Sequence, residues 1–272
     1  MPATELIQTS PNTYLHLRDW GTGRPIVFIH GWPLSHEMWE YQFNALPEAG
    51  YRCVGISLRG FGRSSQPCGD HNYDVWANDV QKVLASLDLR DVTLVGFSMG
   101  GAIALRYAAG HNADGLVTKL ALCGAAAPCF TQRDGFPGGV PRDTVDGFVE
   151  ACRHDRPKLL EDFGKIFYSS ERSVSRKFAE WIHGLSMQAS PHATAAGLIA
   201  LRDGDLRDDM PKINMPTLIL HSLHDKVCPF ALAESLAAGI KGAMLVPFEN
   251  SGHAIFYEER DKFNCELQSF VG

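Results

Sequence analysis

The chain has 272 residues, 45% of them hydrophobic, and a formal charge of −6 at pH 7 with both signs scattered along it. That length suits one core carrying an insertion rather than two tandem domains, and the lack of any basic block argues against nucleic acid or an anionic membrane surface as partner. Seven cysteines, an odd number without a Cys-x-x-Cys pair, fit reduced thiols in a cytoplasmic setting. The start Met1-Pro2-Ala3-Thr4-Glu5 has neither the basic nor the apolar features of an export signal, and no apolar run approaches the ~18 residues that cross a bilayer.

Two alternating segments, 6–9 and 14–18, predict a hairpin with Pro11-Asn12 at its turn. Short apolar runs of buried-strand length follow at 26–29, 51–56, 92–95, 117–122, 217–220 and 243–246. Helical patterns at 37–46, 73–87, 100–109, 229–238 and 258–270 separate most of them. Alternation of this kind predicts an α/β fold, a mainly parallel sheet with helices on both faces. One interval breaks it. Residues 126–210 hold no convincing strand but four helical segments, near 144–153, 158–168, 175–185 and 192–201. Turn signals bound it, Ala127-Pro128 before and Met210-Pro211 with Met215-Pro216 after, so it reads as a helical cap on a core of residues 1–125 and 211–272.

Chemistry is concentrated where 92–95 runs into Gly96-Phe97-Ser98-Met99-Gly100 and a small-residue helical pattern. A strand turning sharply into a helix presents Ser98 at the tip of a strained bend, and the glycines two residues either side admit close backbone approach. A serine alcohol needs a base, and the base needs an acid that fixes its tautomer. In chain order serine, acid, histidine, two positions qualify: Asp225 just beyond 217–220, and His253 just beyond 243–246. Both fall at strand carboxyl ends, the edge where open parallel sheets bind ligands. The competing readings are a surface-turn aspartate and a polar residue after a glycine turn. His221-Ser222-Leu223-His224-Asp225 does not put its histidines on one face, so no metal and no cofactor is expected.

The developing oxyanion needs donors. The backbone amide of Met99, at the start of a helix, is one; that of Trp32 in His30-Gly31-Trp32-Pro33 is the other, since Pro33 has no N–H. The cap aromatics Phe130, Phe136, Phe148, Phe163, Phe167, Tyr168 and Trp181 exceed what a small helical layer needs and suggest an apolar pocket. Arg59-Gly60-Phe61-Gly62-Arg63-Ser64 lacks the third glycine of a dinucleotide fingerprint and reads as a tight loop beside the active edge.

Together DWGTGRPIVFIHGWPLSHEMWEYQ, RGFGRSSQP, DVTLVGFSMGGA, PTLILHSLHDKVCPF and SGHAIFYEE resemble the α/β-hydrolase superfamily, and more narrowly the aryl esterases also known as cofactor-free haloperoxidases or perhydrolases. The resemblance implies Ser98, Asp225 and His253 as a triad, the Trp32 and Met99 amides as oxyanion hole, and Phe130, Phe148, Phe163, Phe167, Leu201, Val227 and Ile255 around the substrate. Pro33 after Trp32 is similar to the perhydrolase-leaning members. Ser57 and Ser222 depart from the family, standing where aspartate and glycine are usual. The expected function is serine carboxylesterase action on a small-molecule ester, with a perhydrolase side activity implied by the resemblance and Pro33, which is also compatible with a homo-oligomer. The alternatives are a lactone, lactam or C–C bond hydrolase on the same triad, or a slow-turnover ligand-binding signalling protein.

Overall fold

The computed structural model describes residues 5–170 and 172–272; residues 1–4, where the export-signal reading applied, lie outside the described residues. The chain opens with the hairpin β1 (Leu6–Ser10) and β2 (Thr13–Trp20), turning through Asn12 at φ 63°. Asparagine is one of the few side chains that takes this left-handed conformation readily. Then follow β3 (Arg24–Ile29), a 3₁₀ turn (His36–Trp39) leading into α1 (Glu40–Ala45), β4 (Tyr51–Ile56), α2 (Tyr73–Ser86), β5 (Val92–Phe97), α3 (Met99–Gly110) and β6 (Val117–Cys123). The helical interval holds α4 (Arg142–Phe167), α5 (Arg176–Met187) and α6 (Pro191–Asp203). Alternation resumes with β7 (Thr217–Ser222), α7 (Phe230–Gly239), β8 (Met244–Phe248), α8 (Ile255–Glu258) and α9 (Arg260–Val271).

The strands form one sheet in the order β1-β2-β4-β3-β5-β6-β7-β8. The β1–β2 and β2–β4 pairs are antiparallel and the rest parallel, so β3 to β8 present their carboxyl ends along one edge. Alternate residues of each central strand face opposite layers. In β3, Val27 and Ile29 join the core under α2, α3 and α7, whereas Ile26 and Phe28 join the core under α1 and α9. Every residue of β5 is buried, as expected of a strand covered on both faces.

Two helical expectations are corrected in detail. The pattern at 37–46 is a 3₁₀ turn followed by a short helix. The two expected segments 144–153 and 158–168 are present as two helical stretches, taken together here as α4 and separated at Asp155, whose backbone is not helical (φ −149°, ψ 76°). There the Asp155 carboxylate caps the second segment by accepting from the Lys158 amide at 3.1 Å, with Pro157 in its first turn, where a missing N–H costs little. The pattern at 258–270 begins three residues earlier, as α8, and is broken at Glu259 for a reason that belongs to the site. Among the described residues no helix is long and apolar enough to cross a membrane, and the seven cysteines are free thiols.

Two glycines let β5, α3 and β3 meet. A Cβ on Gly96 would lie 2.3 Å from the Gly100 carbonyl oxygen, and one on Gly100 would lie 2.4 Å from that of His30. Both neighbours are backbone and cannot step aside, so Gly100→Ala is expected to cost roughly 1–3 kcal/mol through overpacking. Urea denaturation checks this; an unchanged midpoint would contradict the packing described.

Candidate active site

Ser98 follows the last residue of β5 and precedes α3, with φ 54° and ψ −120°. For a non-glycine residue this is a strained conformation that surrounding structure has to impose. Hydrogen bonds to neighbouring backbone impose it: the Ser98 amide donates to the Cys123 carbonyl at 2.9 Å, and the Ser98 carbonyl accepts from Ala126 at 3.0 Å and Gly101 at 2.9 Å. The side chain therefore sits on a bend locked to the end of β6. Met99 is the first residue of α3, so its amide belongs to the turn that has no acceptor within the helix. The residues from Gly31 to Leu34 form a tight turn, closed by the Leu34 amide on the Gly31 carbonyl at 2.9 Å, with Trp32 and Pro33 between. A Cβ on Gly31 would stand 3.0 Å from Ser98 Cβ, which places this turn beside the serine.

His30 fixes that turn from behind. Its Nδ1–H donates to the Gly31 carbonyl at 2.8 Å and its Nε2 accepts from the Leu58 amide at 3.0 Å, so both ring nitrogens are used and one neutral tautomer is selected. Trp32 is held in turn by its indole N–H on the Thr194 carbonyl of α6 at 2.9 Å.

Asp225 and His253 meet in the loops after β7 and β8. The His253 Nδ1–H donates to Asp225 Oδ2 at 2.6 Å, which leaves Nε2 as the lone-pair nitrogen. The Asp225 side chain is fully buried, and its Oδ1 accepts from the Val227 and Cys228 amides, each at 2.8 Å. Burial by itself pushes the Asp225 carboxyl up; the charge and hydrogen bond of His253, with His221 and the Cys228 amide, outweigh it and hold the group below the usual carboxylate range. The His253 ring packs against Phe97 at 4.6 Å and Phe167 at 5.3 Å between centroids.

The two loops are wired together by groups that spacing alone does not reveal. Ser222 Oγ donates to the Ser251 carbonyl at 2.5 Å and accepts from the His224 amide at 3.0 Å, tying the loop of Asp225 to the loop of His253. The break at Glu259 turns two carboxylates back on the histidine loop. Glu258 accepts from the Gly252 amide at 2.8 Å, and Glu259 from the Asn250 amide and the Ser251 hydroxyl at 2.9 and 2.6 Å. His221 lies 3.6 Å from Asp225 Oδ2 and donates Nε2–H to the Cys228 carbonyl at 2.8 Å. Burial pushes the Cys228 thiol well above its usual range, so it stays protonated.

Above Ser98 lies an apolar cavity of about 110 Å³. Trp32, Phe130, Phe148, Phe163, Leu201 and Val227 line it, as do Val140, Thr144, Ile166, Leu198 and Lys226, which sequence reasoning missed. Pro33 and Phe167 instead line an adjoining cleft of about 520 Å³ between α4 and α5, which does not reach Ser98 and shares Phe163 with the first cavity. Ile255 lines neither. Its side chain is wholly buried at the start of α8, packed in the core under α1 and α9, because the chain turns inward after His253. In the Arg59 to Ser64 loop, Arg59 pairs with the buried Asp79 at 2.6 Å and Arg63 with Glu37 at 3.4 Å, and the Gly60 carbonyl accepts from Ser190 at the head of α6.

A family described as alpha/beta hydrolase fold matches residues 24–260. This chain belongs to that family. It is 48% identical over 265 residues to "AB hydrolase superfamily protein YisY" of Bacillus subtilis (strain 168), covering 97% of each chain. It is 37% identical over 272 residues to a "Non-heme haloperoxidase" of Rhodococcus erythropolis, covering 97% of this chain and 98% of that one. Among solved structures, an esterase from Exiguobacterium antarcticum superposes with a TM-score of 0.95 at 47% identity, covering 98% of both chains.

His30 generates a pH prediction. Burial lowers its pKa to about 4 from an ordinary 6.5, so between these values the unfolded chain binds more protons than the folded one. The stability His30 contributes is complete above the unfolded value and is lost as pH falls toward the folded one, about 3 kcal/mol in all. Urea midpoints measured from about pH 7 to about pH 4 are expected to fall, and to fall less steeply in His30→Gln. Equal slopes would show that His30 does not carry the effect.

Proposed function

We propose that this protein is a serine carboxylic-ester hydrolase acting on small short-chain or aryl esters. The observation that carries the reading is the buried His253–Asp225 pair, 2.6 Å apart, grouped at one sheet edge with a serine on a left-handed bend beneath an apolar cavity. His253 Nε2 takes the Ser98 proton as Oγ attacks the ester carbonyl, and the amides of Trp32 and Met99 receive the oxyanion. The tetrahedral adduct collapses when the alcohol leaves with the proton from His253. Water, deprotonated by the same nitrogen, then attacks the acyl-enzyme and releases the acid. Asp225 stays ionised throughout and steadies the imidazolium. On this reading residues 126–210 act as a cap over a core of residues 1–125 and 211–272. The cavity of about 110 Å³ is far below the roughly 300–1,000 Å³ of drug-sized sites, which favours a small acyl group.

Ser98→Ala is expected to lower kcat/KM for an aryl acetate at least ~10³-fold, and Asp225→Asn by about 10²–10⁴-fold with little change in KM. Steady-state kinetics on acetate, butyrate, longer-chain and cyclic esters checks this. An undiminished rate in Ser98→Ala would sink the assignment, and a strong preference for lactones would move the substrate class. A ligand-binding protein without turnover predicts instead a tight complex and no steady state.

A second reading rests on the similarity to a haloperoxidase and on Pro33 beside Trp32. Hydrogen peroxide replaces water as the second nucleophile and releases a peracid, which oxidises halide in solution. Peracid formation from acetate and peroxide is expected in the native protein and reduced in Pro33→Leu. Equal peracid yields in the two would remove Pro33 from the account.

A further inference from the structure

The hydrolase chemistry leaves one polar cluster unused. His16 on β2 and His36 and Glu37 on the 3₁₀ turn each offer a ligand atom, and these atoms lie within 4.8 Å of one another. His16 and His36 are buried, and His16 Nδ1 and His36 Nε2 are enclosed with no hydrogen-bond partner. A buried imidazole nitrogen left unpaired costs about 1–3 kcal/mol, so two in one place call for an occupant. His36 also has the outer contact that a ligating histidine uses: its Nδ1 lies 2.8 Å from Ser57 Oγ. Donation of Nδ1–H to that oxygen leaves the Nε2 lone pair free for a cation.

We propose that His16, His36 and Glu37 form a site for a late first-row divalent cation such as Zn²⁺, completed by water. Two imidazoles and one carboxylate form the mixed nitrogen and oxygen donor set that such ions accept, while Mg²⁺, which demands oxygen ligands, is disfavoured. Ligand atoms in a tetrahedral zinc site stand about 3.4 Å apart, so the three side chains close by roughly 1 Å when the ion enters. A cavity of about 100 Å³ lined by Arg18, His36, Glu37 and Trp181 gives access. Arg18, and Arg63 at 3.4 Å from Glu37 Oε1, oppose the ion's charge and hold the affinity to a moderate level. Binding ties the antiparallel strand β2 to the segment that follows the Trp32 turn.

The test uses the full chain without an affinity tag, stripped with EDTA and desalted, titrated calorimetrically with ZnCl₂ and separately with MgCl₂. One Zn²⁺ per chain is expected, with micromolar affinity, a Tm raised by roughly 3 °C or more at saturation, and no response to Mg²⁺. His16→Gln and Glu37→Gln should each weaken Zn²⁺ at least tenfold, whereas Cys68→Ser with Cys265→Ser, which removes the two exposed thiols, should leave it unchanged. Co²⁺ bound at the same site should give the visible absorption of a four-coordinate ion, lost in Glu37→Gln. Glu37 is only partly buried, so its variant decides the matter even if His16→Gln does not fold. No saturable binding, binding unaltered in Glu37→Gln, or binding lost with the two thiols would each overturn the proposal.

Discussion

The bend at Ser98 is the constraint around which the rest is arranged. A non-glycine residue at φ 54° persists only where its surroundings leave no alternative, and here those surroundings are β3, β6 and α3 converging on one point. Gly96 and Gly100 let α3 begin close against β5 and the end of β3. The same closeness puts the Gly31–Leu34 turn against Ser98. Backbone strain, the start of α3 and the position of Ser98 are thus three aspects of one packing arrangement, and none can be relaxed separately.

Burying Asp225 carries a desolvation cost that an isolated carboxylate could not sustain. It is met by two backbone amides on one oxygen and an imidazole on the other, with His221 near the second. A carboxylate so fully engaged has little freedom to rotate, which fixes the direction of the His253 ring. Ser222 then ties the aspartate loop to the histidine loop through the Ser251 carbonyl, while Glu258 and Glu259 fix the histidine loop's own backbone amides. Ser222 therefore adds a side-chain tie between the two loops.

The fold was largely legible because its signals are local: apolar runs of strand length, helical periodicity, and a glycine-flanked serine between them. Ser98, Asp225 and His253 fall at strand ends, and parallel topology makes strand ends neighbours however far apart they lie in sequence. What escaped depended on contacts between distant segments. Ile166 and Leu198 are apolar residues on helices, where the pattern marks them as buried but cannot say whether they face core or cavity, and Val140 sits in an isolated bridge with Thr131 that no periodicity announces. Ile255, which the resemblance places at the substrate, lies instead in the core, because the turn after His253 presents it to the opposite face. The break at Glu259 was hidden because two glutamates in a helical run look like ordinary surface residues until their hydrogen bonds are seen. His16 and His36 sit 20 residues apart in the chain, a spacing that no ligand motif describes, and only the pairing of β2 against β4 brings them together.

In the proposed esterase, Phe163 is a point where the helical interval meets the cavity at Ser98. It stands edge-on to Trp32 at 5.1 Å, with Phe167 at 5.9 Å on its other side, and its ring separates the small cavity at Ser98 from the larger cleft between α4 and α5. Phe167 in turn packs on His253, and its carbonyl accepts from the Ala254 amide at 3.2 Å. A movement of this half of α4 would therefore change two things together, the volume above the serine and the support behind the histidine. The break at Asp155 divides this half from the first, so the part of α4 that touches both the cavity and His253 is a separate helical segment with its own N-terminal cap. In the proposed esterase, substrate size and the placement of the base are coupled through one short helix, and mutations in it are not expected to alter specificity without also altering rate.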